Sequence, residues 1–192
     1  MNTEYSWEKR FFSSKWKIYR NYRPVGVIKS PFFSRKGTAE IDGEKYEFRD
    51  SKWINLGDTE IFDASGNTIG RMKCVAANDE NLDNNKVAEI QIGNNVSFFD
   101  TGGIKDLKTF TIHNAAGLQI TYKSTSWHDM RGEIKTNKDN KIELLLGVYI
   151  LAIYSRLTAA ILAGILALIG VFLIPGAAIF LWQLVRKLIL GF

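Results

Sequence analysis

The stretch LLLGVYILAIYSRLTAAILAGILALIGVFLIPGAAIFLWQLVRK, Leu144 to Lys187, decides how the chain is organised. Its first piece, Leu144 to Tyr154, is 11 residues long. That is too short for a hydrocarbon core of about 30 Å, which needs about 20 helical residues. Ser155-Arg156 then interrupts the apolar run. Leu157 to Trp182 follows, 26 residues without a charge, or roughly 39 Å as a helix. That is enough to span a bilayer with some tilt. The stretch therefore divides at Arg156. The first piece suits a helix near 143–154, inside or under a β-domain. The second suits a C-terminal transmembrane helix, so the domains are expected at 1–156 and 157–192.

Pro175-Gly176 leaves the second piece open to more than one path. Proline removes a helical hydrogen bond and kinks the helix, which membrane helices tolerate. One path is a single kinked span ending near Val185, with Trp182 at the interface and Arg186-Lys187 among the headgroups. Another is a hairpin with its tip at Pro175-Gly176. A third runs from about Ile142 to Ile174 and buries Arg156, at a cost of about 2.5–3.5 kcal/mol or more. Lys135, Lys138, Lys141 and Arg156 upstream outnumber Arg186 and Lys187 downstream. The single-span path then places the protein in the membrane with a cytoplasmic N-terminal domain. MNTEYSWEKRFF lacks the apolar run of a secretory signal, so a tail-anchored layout is expected. Ala160 and Gly164, and Ala163 and Ala167, stand four apart. Such spacing allows close helix–helix approach, or is the ordinary small-residue content of a membrane helix.

Before residue 142 the chain reads as a β meander. Thr38–Ile41 meets Lys45–Phe48 across Asp42-Gly43, and Ile61–Asp63 meets Thr68–Arg71 across Ala64–Asn67. Val87–Ile92 meets Val96–Phe99 across Gly93-Asn94-Asn95, and Phe110–His113 meets Leu118–Tyr122 across Asn114–Gly117. Two hairpins repeat. AEIDGEKYEF from Ala39 resembles AEIQIGNNVSFF from Ala88, and FDASGNTI from Phe62 resembles HNAAGLQI from His113, offset by 51. Asp63 and Asn114 open the two turns, where a short acceptor side chain is favoured, and Gly66 and Gly117 supply positive φ. Closing this antiparallel meander into a barrel removes its exposed edges.

The hairpin FDASGNTIGR, Phe62 to Arg71, and the order of short strands before an apolar helix resemble the Tubby C-terminal-like superfamily. That superfamily includes the LURP-one-related and phospholipid-scramblase-like proteins. The resemblance covers roughly residues 7–155. It implies a closed barrel with the apolar helix threading its middle, and a membrane-proximal lipid-binding or scaffolding role. The chain departs from the family in continuing for more than thirty apolar residues. No phosphoinositide-binding motif of tubby proteins can be placed on it.

Charge is uneven. The first 36 residues carry nine basic residues against Glu4 and Glu8, a net of +7, which leaves −2 for the other 156 of the total +5. A basic end on a near-neutral body points to an anionic partner. Tyr5, Trp7, Phe11, Phe12, Trp16, Tyr19 and Tyr22 interleave with these cations. In one reading Trp16 and Ile18 form the core face of a first strand, with Lys15, Lys17 and Arg20 solvated. In a second the arm lies on a membrane, with Lys9, Arg10, Lys15, Lys17, Arg20 and Arg23 on anionic headgroups at about 1 kcal/mol each. In a third nucleic-acid bases stack on the aromatics. No recognised nucleic-acid module accompanies that reading and a membrane tail fits it poorly, so no nucleic-acid partner is expected.

Cys74 is alone, which excludes an intramolecular disulfide. His113, His128 and Cys74 lack metal-ligand spacing. Ser126-Trp127-His128-Asp129 holds triad residue types, but neighbours on an extended chain point to opposite faces. Gly102-Gly103 is a turn rather than a phosphate loop, and NDENLDNN lacks the EF-hand spacing. The expectation is a non-enzymatic, cofactor-free membrane protein that contacts anionic lipids. The alternative is a structural protein that forms homo-oligomers through Ala160, Ala163, Gly164 and Ala167.

Overall fold

The computed structural model describes residues 3–10, 13–31, 34–51, 58–74, 86–101, 108–125, 131–156 and 164. Met1–Tyr154 separates as one compact unit from Ser155–Phe192. Twelve strands are described: β1 (Thr3–Lys9), β2 (Lys15–Arg20), β3 (Arg23–Lys29), β4 (Lys36–Ile41), β5 (Glu44–Asp50) and β6 (Thr59–Asp63), then β7 (Thr68–Cys74), β8 (Lys86–Ile92), β9 (Asn95–Thr101), β10 (Thr109–Asn114), β11 (Gln119–Ser124) and β12 (Arg131–Thr136). Each strand pairs antiparallel with its sequence neighbours, and β1 pairs β12 from Thr3↔Thr136 to Glu8↔Arg131, which closes the barrel. The expected antiparallel barrel is therefore present, and no strand edge is left open along it.

One helix is described before residue 157, α1 (residues 141–156). Asn140 caps its start: its Oδ1 accepts from the Glu143 N–H at 3.3 Å and its carbonyl from the Leu144 N–H at 3.0 Å, as a favoured N-cap residue does. Leu144, Leu145, Leu146, Val148 and Ile150 are all fully buried. A helix apolar on every side needs apolar partners on every side, and it finds them inside the barrel. Tyr149 stacks on Phe48 of β5, Tyr154 stacks on Phe110 of β10, and Tyr122 of β11 donates to the carbonyls of Glu143 and Leu144. The diameter of a barrel grows with strand number, and eight strands leave an interior just wide enough for side chains. Twelve leave room for a helix. Burying five large aliphatics at about 1.5–3 kcal/mol each is the main return for ordering this segment. The helix expected near 143–154 thus lies within the barrel.

Inward and outward positions alternate as the pleat requires. β4 and β12 alternate strictly between exposed and buried. Two close approaches fix how the helix sits. A Cβ at Gly37 of β4 would collide with the ring of Tyr149, and a Cβ at Gly147 with the ring of Tyr122. Each tyrosine fills the notch left by a glycine on the facing element. Asp50 holds the Tyr149 hydroxyl from below: its Oδ2 accepts from Tyr149 at 2.7 Å and its Oδ1 from Thr59 at 2.8 Å.

The repeat is visible in three dimensions with a corrected register. An offset of 51 carries β5 (Glu44–Asp50) onto β9 (Asn95–Thr101) and buried Phe48 onto buried Phe99. Asp63 and Asn114 each accept, through the backbone carbonyl, from the glycine three residues on, and Gly66 and Gly117 have φ of +83° and +79°. Aligning Ala39 with Ala88 was two residues out of register. The two strands turn across Asp42-Gly43 and Gly93-Asn94, with Ile41↔Glu44 and Ile92↔Asn95 as the flanking pairs. The matching letters Ala-Glu-Ile fall at different heights in the two copies. The β8–β9 turn has two residues rather than three.

Candidate functional site

The turns of β2–β3, β4–β5, β6–β7, β8–β9 and β10–β11 all lie at one end of the barrel, and α1 begins there after β12. We call this the hairpin end. Tyr154 packs on Phe110 near the start of β10, at the opposite or far end. Between the two ends Glu143 bonds Ser97, close to the β8–β9 turn, and Tyr149 bonds Asp50 at the end of β5.

The basic aromatic arm is part of the barrel wall. Tyr5, Trp7, Trp16 and Ile18 are buried in the core, while Lys15 and Lys17 are exposed. Trp16 and Ile18 are the core face of a strand, as expected, but of the second strand rather than the first, and burial removes Tyr5, Trp7 and Trp16 from any surface role. Phe11 and Phe12 lie outside the described residues. The alternation has a simple cause: Lys15-Trp16-Lys17-Ile18 reads polar, apolar, polar, apolar, and one face of a strand is enough to bury both apolar side chains.

The six candidate cations do not form one surface. Lys9, Arg10, Lys15 and Lys17 lie toward the far end, whereas Arg20 and Arg23 flank the Asn21-Tyr22 turn at the hairpin end. Five residues of strand separate Lys15 from Arg20, about 17 Å at the usual rise. Their surroundings differ as well. Arg20 is 3.5 Å from Asp42 and lies over the Tyr5 ring. Lys9 lies over the Trp16 ring at 5.2 Å. Lys15 faces Lys29 directly across β2–β3, both exposed, and like charges so placed repel. Lys17 faces Glu8 across β1–β2, yet Glu8 accepts instead from the Tyr19 hydroxyl at 3.0 Å. Among the described residues no ion pair involves Lys15, Lys17 or Lys29.

Lys29 was missed by the sequence reading. Folding the chain back at Asn21-Tyr22 would have placed it opposite Lys15, but that turn has no glycine to mark it. Asn21 and Tyr22 both adopt positive φ, +50° and +64°.

A second outer-wall cluster sits at matching places in the repeat. Arg49 lies 3.9 Å over the Phe62 ring, and 51 residues on Asp100 Oδ2 lies 2.6 Å from His113 Nε2. His113 therefore occupies the wall position of Phe62, as the repeat implied, and there makes both a hydrogen bond with Asp100 and a tilted ring contact with Phe98. No group of three metal-ligating side chains is present among the described residues.

Gly164 is described as an exposed helical position. Ala160, Ala163 and Ala167, the other members of the proposed helix–helix face, lie outside the described residues, as does the rest of the span expected over 157–192. Among the described residues no helix is long and apolar enough to cross a membrane. The fold and wall together define an antiparallel twelve-stranded barrel filled by a helix, with a cationic strip along β2–β3. Set against family models, curated proteins and solved structures, the chain matches none.

Proposed function

We propose that this protein is a non-enzymatic, membrane-anchored barrel that contacts anionic lipid headgroups through the cations of its first strands. The observation that carries the reading is the exposed Lys15–Lys29 pair, with Lys17 beside it, lacking counter-ions among the described residues. Repulsion between opposed like charges is a standing cost to the free sheet, and an anionic surface relieves it. The apolar segment from Leu157 onward supplies the anchor in this reading. The helix-filled closed barrel supports the tubby-like resemblance, which we keep as part of the proposal.

The test has two arms. Carbonate extraction should retain the full chain in the membrane pellet and release a chain ending at Arg156; full chain in the soluble fraction would remove the anchor. The shortened chain should then bind acidic vesicles better than neutral ones, and less well as salt rises, because surface charges are screened over about 8–10 Å at physiological ionic strength. Equal binding to both vesicle types at all salt concentrations would defeat the headgroup reading.

A further inference from the structure

Strand register sorts the cations by height along the barrel. From this we infer that the protein meets an anionic bilayer with its far end, the Lys15–Lys29 pair sharing a headgroup phosphate while the Arg20–Arg23 tip stays in water. The inference rests on the headgroup reading above and adds an orientation and a contact point to it.

Three observations converge on the far end. Lys15 and Lys29 form a directly opposed, exposed pair at the far ends of β2 and β3. A single phosphate between two ammonium groups accepts from both and cancels their repulsion. Lys17 stands two residues up the same outer face, and exposed Arg10 leaves β1 at the same end. The helix also delivers the chain there: Tyr154, where the compact unit ends, packs on Phe110 at the start of β10.

The hairpin end is built differently. Arg20 with Asp42 at 3.5 Å, Lys141 with Glu44 at 2.6 Å and Lys135 with Glu4 at 3.3 Å already neutralise one another. A cation that has a carboxylate partner gains less from a phosphate. At about 17 Å of strand from Lys15 to Arg20, the two groups are also more than a screening length apart. They cannot both lie in the headgroup layer of a bilayer met end-on.

The experiment places the full chain in nanodiscs of phosphatidylcholine alone or mixed with phosphatidylserine. An amine-reactive reagent then labels lysines, and the rate at each is read by mass spectrometry. Lys15, Lys17 and Lys29 should label about five-fold more slowly in the acidic discs, the factor that about 1 kcal/mol per surface cation converts to. Lys45 and Lys138, exposed at the hairpin end, should label equally in both. Slowing at Lys45 and Lys138 that matches Lys15 would overturn the orientation while leaving lipid contact intact. No slowing at any lysine would remove the headgroup reading itself. The same pattern in neutral discs with inorganic phosphate added would assign the pair to a soluble anion and overturn the bilayer contact.

Discussion

At the hairpin end of the barrel, Arg20, Lys135 and Lys141 each lie against a carboxylate, whereas at the far end Lys15 and Lys29 stand opposite each other across β2–β3. Both ends belong to the same closed sheet. Ion pairs of this exposed kind are worth about 0–1 kcal/mol, so the hairpin end gains little stability from its pairing. What it gains is a neutral face. At the far end Lys36 and Arg49 pair with Glu47, but Lys15 and Lys29 have no ion pair among the described residues, and their charge stays free for a partner. The difference teaches that net charge, which sums to +5 over the chain, says less than where on the fold a charge is left without an opposite.

The contrast presupposes a helix running from one end to the other, and Tyr149 is where that premise is most easily broken. Its ring stacks on Phe48 at 4.6 Å, fills the Gly37 notch and donates to buried Asp50. Tyr149→Ala opens a cavity of the kind that costs about 3–5 kcal/mol and takes a donor from a buried carboxylate. Denaturant unfolding should show a loss of that size. A loss under about 1 kcal/mol, the level of a surface substitution, would mean that the helix does not fill the bore.

Lys29→Glu tests the far end from the opposite direction. Glutamate opposite Lys15 turns repulsion into attraction, worth up to about 1 kcal/mol across an antiparallel pair. The free protein should therefore unfold at slightly higher temperature. Binding of a chain ending at Arg156 to acidic vesicles should nevertheless fall, since a positive charge is lost and a negative one gained. At about 1 kcal/mol each that is on the order of thirty-fold. The paired substitution Arg20→Gln with Arg23→Gln should leave vesicle binding within about two-fold, the change that about 0.4 kcal/mol produces. If the hairpin-end variant weakens binding as much as Lys29→Glu does, the two ends are not distinct.

Much of this barrel could be read from turns. Asp42-Gly43 marked a two-residue hairpin, and Asp63 and Asn114 marked the paired turns of the repeat, because each of these positions needs a side chain or a φ that few residues supply. Leu144–Tyr154 was legible as a buried helix because it is too short to span and apolar all round. Asn21-Tyr22 was not legible as a turn, since neither residue is glycine, and so β2 and β3 were not seen to reverse. That one omission hid the Lys15–Lys29 pair and made six cations close in sequence look like one surface. The alignment of Ala39 with Ala88 failed for a related reason: letter identity ignores the height at which a turn reverses the strand.

The two kinds of carboxylate also divide by place and should divide by pH. Glu143, in the bore with its Oε1 accepting from Ser97 at 2.5 Å and its Oε2 without a partner among the described residues, is raised above the usual carboxylate range by burial, the Ser97 bond only partly offsetting this. On the wall, Lys141 lowers Glu44, Arg49 lowers Glu47, and the Asn67 N–H lowers Asp63. A raised folded value means that Glu143 destabilises the fold while ionised, and that this cost disappears as pH falls from above its folded value to its ordinary one. The wall carboxylates act in the opposite sense: their contribution is present above their ordinary values and is lost as pH falls through their lowered ones. Comparing wild type with Glu143→Gln cancels the wall. The stability of wild type relative to the variant should rise as pH falls from neutral toward about 4, the ordinary glutamate value. A difference that stays flat over that range would show that Glu143 is not titrating in the bore.

The smallest expected effect belongs to the hairpin tip. Tyr22 is 99% exposed and held at φ +64°, a left-handed conformation that costs a side-chain-bearing residue roughly 1–2 kcal/mol. Glycine is the favoured second residue of such a turn after asparagine, and Asn21 already precedes it. Tyr22→Gly removes the strain and no buried contact, but it also frees the unfolded chain, a loss of about 0.4–1 kcal/mol. The net should be a small stabilisation, a few tenths of a kcal/mol to about 1. Vesicle binding should not change, because the tip points away from the bilayer in the orientation inferred above. A destabilised Tyr22→Gly variant would show that the ring packs against the barrel after all. A stable variant that loses acidic-vesicle binding would move the lipid contact to the hairpin end and reverse the assignment of the two ends.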